Sequence, residues 1–351
     1  MELLQIPIGI EDYKSLKSKC YYVDKTSLIK RVADAPKSSV FLFTRPRRFG
    51  KSLALSMVET FFALGEDNRE FFDGTYIEEA GERYLSLMNS FPVLHLSFKR
   101  MDASSYGEFL KLLSFDMSLL YDKAICKYGL KRDNRVWMDS ILNESADETL
   151  LKTSLDRLLR CVSQDCGRGC IGLVDEYDCP MDRAYREGYY EALQEFMKVF
   201  LGDVLKGNPS LEKAIVTGVS QIAHASIFSG LNNLRVNSVF MGSGDEHFGF
   251  LQSETEELLA YYGYRGEVGL VESNYGGYVI QGKLCFNPWS VLSFVDNGCA
   301  FDSYWTHTGS YDLLKDAVRL LANDSYNDLL RLCSGSSLVV GLKKNIVLGE
   351  A

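Results

Sequence analysis

Arg45-Pro46-Arg47-Arg48-Phe49-Gly50-Lys51-Ser52, entered from the apolar run Ser39–Phe43, is the stretch that decides the fold. Its last three residues satisfy the end of the phosphate-binding pattern G-x-x-x-x-G-K-[ST], with Arg45 standing where the first glycine belongs. Ser39–Phe43 is β-rich and apolar, which predicts a buried parallel strand. After the basic turn, Leu53, Met57, Phe61 and Leu64 recur at helical spacing and predict an amphipathic helix from Lys51 onward. A loop that enters a helix N-terminus aims free backbone N–H groups at an anion, and the helix dipole favours negative charge there. Arg47, Arg48, Phe49, Gly50, Lys51, Ser52 and Leu53 are therefore the predicted nucleotide-binding residues. Gly50 lets backbone approach phosphate, Lys51 reaches the β- and γ-phosphates, and the Ser52 hydroxyl binds Mg²⁺. The tripeptide G-K-S alone recurs by chance; the flanking strand and helix supply its specificity.

The second half of such a site lies about 120 residues downstream, in Ile171-Gly172-Leu173-Val174-Asp175-Glu176. An apolar strand ending in two acids places them at the carboxyl edge of a sheet, where α/β proteins bind ligands. Asp175 is the expected second Mg²⁺ residue and Glu176 the expected general base. A further strand, Ala214–Thr217, ends in Thr217-Gly218, and Thr217 is the candidate for a contact to the γ-phosphate or the attacking water.

Around these motifs strands alternate with helices. Val93–Phe98 reads as a strand, Leu110, Leu113, Met117 and Leu120 as one helix face, and Thr149–Val162 as another helix. The expected fold is a three-layer α/β P-loop NTPase with a mainly parallel sheet, spanning 36–250 after a lead-in of 1–35. Beyond about residue 250 the order changes. Helices over Glu254–Tyr262 and Glu267–Ser273, a hairpin at Gln281-Gly282 and a helix after Asn287-Pro288 predict a small winged-helix-like C-terminal lid, 251–351.

Composition bounds the function. The net charge of −9 argues against wholesale nucleic-acid binding, although a local basic patch stays possible, and 46% hydrophobic residues suffice for a large core. The N-terminus lacks the basic and apolar regions of a signal peptide, and no apolar run approaches about 18 residues. A cytoplasmic location with free thiols is expected. Of the nine cysteines, Cys161, Cys166 and Cys170 lie close together but without zinc spacing, and the four histidines form no metal pair.

Together these stretches resemble the AAA-ATPase-like family of mostly bacterial P-loop proteins. The resemblance runs through Ile6–Tyr13, Tyr21–Thr26, Phe41–Leu53, Phe91–Phe98, Leu173–Pro180, Val216–Leu234 and Phe286–Leu292, nearly the whole chain to about residue 320. R-P-R-R-F-G-K-S keeps the family's own departure from the first glycine, so Arg45 does not argue against a working loop. The resemblance implies ATP as the nucleotide, with Mg²⁺. It sets Tyr22–Thr26 beside the base, while the residues themselves also fit a helix cap at Asp24 or Thr26. It implies that Asp178 orients the loop after the acidic strand, that Arg47 and Arg48 stabilise phosphate charge or, the favoured reading, anchor the loop to an acid, and that Arg235 is a sensor or finger arginine, with a solvated surface arginine as the alternative. In that family a nuclease-like domain of the PD-(D/E)xK type often follows. No acid–acid–E-x-K set is legible in 296–351, and Asp312, Lys315 and Asp316 read as a solvated helix face. The expected function is Mg²⁺-dependent ATP binding and hydrolysis coupled to conformational change. Its rivals are a nucleotide-dependent switch with negligible turnover, acting on a protein partner or a second copy, and a winged-helix nucleic-acid-associated ATPase.

Overall fold

Alternating side chains on the central strands divide the core into two layers. On β1 (Ser39–Thr44), Val40 and Leu42 join one apolar cluster, while Phe41 and Phe43 join another on the opposite face. The same period-two division recurs on β3 (Cys170–Asp175), where Cys170 and Val174 face one way and Ile171 and Leu173 the other. Both faces of the sheet are thus covered, as a parallel sheet requires.

The computed structural model describes residues 3–65, 67–132, 135–219, 227–228, 230–239, 247–276, 278–280, 282–304 and 323–334. Asp312, Lys315, Asp316, 335–351, Gln281 and the middle of the 216–234 block lie outside the described residues. In chain order the elements begin with α1 (Tyr13–Lys19), α2 (Ser27–Asp34), β1 and α3 (Lys51–Phe62). The short helices α4 (Tyr76–Glu79) and α5 (Glu82–Leu85) lead to β2 (Val93–Ser97). Then come α6 (Tyr106–Tyr128), α7 (Trp137–Leu142), α8 (Glu148–Cys166), β3, α9 (Cys179–Glu187) and α10 (Tyr190–Leu205). β4 (Leu211–Gly218) and β5 (Leu234–Asn237) complete the large sheet. The C-terminal unit holds β6 (Phe250–Leu251), α11 (Gln252–Tyr261), α12 (Val268–Tyr275), β7 (Tyr278–Ile280), β8 (Lys283–Phe286) and α13 (Pro288–Asp296), followed by α14 (Asn323–Cys333).

The five strands run parallel in the order β2-β3-β4-β1-β5. The strand before the phosphate loop and the strand bearing the acids are therefore separated by β4 alone. Helices α1 to α5 cover one face and α6 to α10 the other. Local signals fix several boundaries: Asp147 caps α8 by accepting from Leu150 N at 2.7 Å, and Gly167 ends that helix with φ +64°.

The α/β reading of the sequence holds, with local differences. Helix α3 stops at Phe62, short of the predicted Leu64, because Ala63 bridges to Phe91 and Leu64 N donates to Phe91 O at 2.8 Å. β5 has no counterpart in the sequence reading, being four residues long with Arg235 exposed between its apolar positions. At α2 the cap reading holds in position, since Thr26 is the N-cap residue, but not in its bonding. Thr26 makes no side-chain cap, and its hydroxyl accepts from Ile77 N at 3.1 Å. The Asp24 carboxylate accepts from Thr26 N and Tyr76 N, so it fastens α4 rather than starting a helix.

In the C-terminal unit the β7–β8 hairpin and β6 form an antiparallel sheet, β6-β8-β7, behind α11, α12 and α13. Its apolar cluster includes Phe250, Leu258, Val271, Phe286 and Phe294, and the lead-in residues Ile6, Ile8, Tyr21 and Val23 pack against it. Tyr13, Leu28, Ile29 and Val32 of the same lead-in belong instead to the sheet core. Among the described residues no helix is long and apolar enough to cross a membrane.

Candidate active site

Two left-handed residues shape the phosphate loop. Arg48 has φ +67° and Gly50 φ +80°. Only glycine adopts such a conformation without cost, and space for a Cβ at Gly50 is open, so the restriction there is conformational and not steric. Gly50 caps α3 without a side chain, leaving the helix's first N–H groups for a ligand.

Lys51, the first residue of α3, is buried, and its Nζ donates to Arg45 O and Pro46 O at 2.9 Å each. Burial lowers its pKa, an effect opposed by the carboxylates of Asp178, Asp175 and Glu176. Ser52 Oγ donates to Asp175 Oδ2 at 2.6 Å, joining the loop to the end of β3. Asp175 is itself buried, and Thr217 Oγ1, from the end of β4, donates to its other oxygen. Thr217 is fully buried and stands behind Asp175; the cavity wall is made by others. Glu176, half-buried on that wall, has φ +52°, uncommon for a residue with a side chain. Burial, and then the neighbouring Asp175, push its carboxyl above the usual range.

Asp178 ties the turn after β3 to the end of β4, because Oδ2 accepts from Val219 N at 2.8 Å. Arg45 does not line the cavity. It is fully buried, and Nη1 donates to Thr44 O at 2.9 Å and Asn237 O at 3.0 Å, clasping the ends of β1 and β5. Arg235 likewise lies on β5, with its guanidinium 5.9 Å from the Phe41 ring, and is no part of the cavity.

A cavity of about 870 Å³ runs along the carboxyl ends of the strands. It is lined by the loop from Arg47 to Leu53, by Glu176 and Asp178, and by Lys99, Asp182, Arg183 and Arg186. Its other wall comes from lead-in residues including Ile10, Tyr22 and Val23 and from Phe248, Leu258 and Trp289. This size suits a small-molecule ligand. The lining holds charged side chains, among them Lys51, Lys99, Glu176 and Arg183, and apolar ones, among them Ile10, Val23, Phe248 and Leu258.

The deciding observation is topological: β1, β4 and β3, adjacent and parallel, deliver the loop, Thr217 and Asp175-Glu176 to one edge. A family profile described as Predicted AAA-ATPase, the AAA-ATPase-like family, matches residues 7–228. The chain belongs to the AAA-ATPase-like family. The family's description is of a predicted, ATP-related activity. Among curated proteins, an uncharacterized protein in the vnfD 5′ region of Azotobacter chroococcum mcd 1 is 25% identical over 329 residues. That alignment covers 91% of this chain and 57% of the relative, so the chain spans little more than half of that protein's length.

The donor set of this AAA-ATPase-like chain fits a Mg²⁺–nucleotide. Ser52 and Asp175 present adjacent hard oxygen atoms, and Mg²⁺ takes one or two protein carboxylates together with substrate phosphates. Among the described residues no cluster of three or more His, Cys, Asp or Glu side chains suits a metal by itself. The N–H groups of the first turn of α3, which Gly50 caps without a side chain, add donors on the anion side.

Sequence reasoning missed the residues that come from afar. Lys25 Nζ lies 2.6 Å from both oxygens of Glu254, bringing the Tyr22–Thr26 block against α11. Asn287 Nδ2 donates to Arg47 O at 3.3 Å, and Trp289 receives the Arg48 guanidinium 3.8 Å from its ring centre. Asn287-Pro288 was legible as a helix start, and Asn287 does cap α13 by accepting from Trp289 N. Nothing in its local pattern joins it to a loop some 240 positions earlier.

Proposed function

We propose that this chain binds ATP with Mg²⁺ and hydrolyses it, and that hydrolysis is coupled to movement between the sheet domain and the C-terminal unit. The observation that carries the reading is the hydrogen-bond chain that runs from Ser52, on the cavity wall with Lys51 and Glu176, to the buried Asp175 and Thr217 behind it.

Lys51 and the amides of residues 47–53 receive the phosphates, with Leu53 and Phe49 fixing the loop's flanks. Ser52 and Asp175 hold Mg²⁺, which when bound offsets the charge of the β- and γ-phosphates. Thr217 orients Asp175 through its hydrogen bond. Glu176 takes a proton from water as the water oxygen bonds to the γ-phosphorus. The bond from that phosphorus to its bridging oxygen breaks, giving ADP and phosphate. A carboxyl with a raised pKa is the stronger base once ionised. The apolar wall from the lead-in, with Ile10, Tyr22 and Val23, takes the base.

On this reading residues 36–250 form the ATPase domain, 1–35 the lead-in and 251–351 a lid of winged-helix-like organisation, with helices packed on a three-stranded antiparallel sheet. Asp175, Glu176 and Asp178 make the phosphate end strongly acidic without a metal, which favours Mg²⁺-bound nucleotide over free nucleotide. The net charge of −9 does not favour a nucleic-acid ligand.

The test is ATP binding and turnover, with Mg²⁺, by wild type, Lys51→Ala and Glu176→Gln. The expected outcome is loss of both in Lys51→Ala, and binding without turnover in Glu176→Gln. Binding without turnover in the wild type, unchanged in Glu176→Gln, would replace hydrolysis with a switch. No binding by the wild type would sink the nucleotide reading.

A further inference from the structure

The phosphate loop is gripped from outside the sheet that presents it. At Arg47 the backbone carbonyl accepts from Asn287 Nδ2 at 3.3 Å. At Arg48 the guanidinium carbon lies over the Trp289 ring, 3.8 Å from its centre, while the backbone holds φ +67°. At Phe49 the ring is buried against Ile280, Cys285 and Tyr278, the last at 4.9 Å edge-on, and Phe49 O accepts from Gly249 N at 3.2 Å. The fit at Gly249 is close. Its φ is +75°, and a Cβ there would lie 2.4 Å from Cys285 Sγ and 3.0 Å from the Phe49 ring.

These contacts bear on consecutive residues of a loop that has only one glycine, Gly50, within Arg45–Ser52. A glycine-rich loop reaches left-handed conformations unaided. Here a residue with a side chain, Arg48, must be kept in one. We infer that the C-terminal unit sets the shape of the phosphate loop, with Trp289 and the Phe49 pocket as positioning elements for polyphosphate binding. This rests on the nucleotide reading above for its ligand, but not for its structural content. Release of the clasp lets the loop populate other shapes, and apparent affinity falls in proportion to the fraction that stays competent. The C-terminal unit is also fastened to the lead-in by Lys25–Glu254 and by the Tyr262 hydroxyl, which donates to Leu4 O at 3.0 Å. Displacing either fastening reaches the phosphates through the same three residues.

Trp289 also lines the cavity, so a direct contact with the base is the competing account. Inorganic tripolyphosphate, which has no base, separates them. Affinity for ATP and for tripolyphosphate, both with Mg²⁺, is measured for wild type, Trp289→Ala, Trp289→Phe and Phe49→Leu. Amide hydrogen exchange over 45–52 is followed in the ligand-free proteins. In Trp289→Ala, a competent fraction of about one-tenth weakens both ligands about tenfold alike. Its loop amides exchange faster, while those of β3 and β4 keep their protection. Phe49→Leu shows a smaller loss of the same kind. Trp289→Phe, which keeps an aromatic face for Arg48, recovers most of the affinity. Weaker ATP with unchanged tripolyphosphate would make Trp289 a base contact and overturn the inference. Unchanged loop exchange in Trp289→Ala would overturn it whatever the affinities. Should the wild type bind neither ligand, the nucleotide reading fails, and loop exchange still decides the positioning role.

Discussion

A methyl group added at Gly218 has no space to occupy. β4 passes the turn after β3 so closely that an ideal Cβ would lie 2.6 Å from Tyr177 Cε1, 2.8 Å from Asp178 Oδ1 and 2.9 Å from Tyr177 Cδ1. Carbon atoms attract best at about 3.5–4.0 Å, so the ring would have to retreat by about 1 Å. Tyr177 cannot do so freely: it is fully buried, with its ring 5.2 Å from that of Phe228. Asp178 is fixed by Val219 N. Overpacking of this kind costs about 1–3 kcal/mol. Gly202, inside α10, is the matched control, since nothing lies within 4 Å of a Cβ there. Alanine in a helix interior is favoured over glycine by about 0.5–1 kcal/mol. The same chemical change should therefore move stability in opposite directions, with Gly218→Ala and Gly202→Ala separated by about 1.5–4 kcal/mol. Urea unfolding followed by circular dichroism measures the difference. Because Tyr177 and Asp178 directly follow Glu176, Gly218→Ala should also turn over ATP more slowly per folded molecule, and Gly202→Ala should not. A Gly218→Ala protein as stable as the wild type would refute the reasoning.

Three further outcomes are expected. Arg45→Gly restores the standard loop glycine yet removes a buried side chain and its bonds to Thr44 O and Asn237 O; it should cost about 3–5 kcal/mol, with ATP affinity of the folded fraction near wild type by calorimetry. Glu254→Gln leaves the buried Lys25 ammonium poorly matched and should destabilise by about 3 kcal/mol in urea, whereas the exposed Glu256→Gln should change little and Lys25→Met with Glu254→Leu should recover most of the loss. Burial, and then Asp178, raise the Asp182 carboxyl from 3.8 to about 6. The folded state therefore holds the proton more tightly, and stability falls as pH rises from about 4 to about 6 and stays lowered above that. Asp182→Asn should gain about 1–3 kcal/mol at pH 7–8, and unfolding near pH 4 should show no gain.

The sequence made the central strands and the two phosphate-site motifs legible because each is a local pattern. An apolar strand, a basic turn and a helical spacing sit side by side in Ser39–Leu64, and β3 runs into Asp175-Glu176 without interruption. The role of Thr217 was less legible. A hydroxyl at a strand end reads the same whether it faces a ligand or a carboxylate behind it, and only the pairing of β3 with β4 sets it against Asp175. Arg45 is the converse case: its charge suggests phosphate, but β5, invisible as four mixed residues, gives it a backbone partner at Asn237. The clasp on Arg47–Phe49 joins residues separated by some 240 positions, and no periodicity encodes such a meeting.

The lead-in's division between two cores has a consequence for synthesis. Ile6, Ile8, Tyr21 and Val23 leave the ribosome well before the cluster that covers them, which is built from Phe250 to Val295. At about 5–20 residues per second the wait is roughly 15–60 s. During that time α1, α2 and the parallel sheet can assemble behind Tyr13, Leu28 and Ile29, with an apolar strip left uncovered beside them. That strip is where a chaperone would engage the nascent chain, and where two unfinished chains would first adhere.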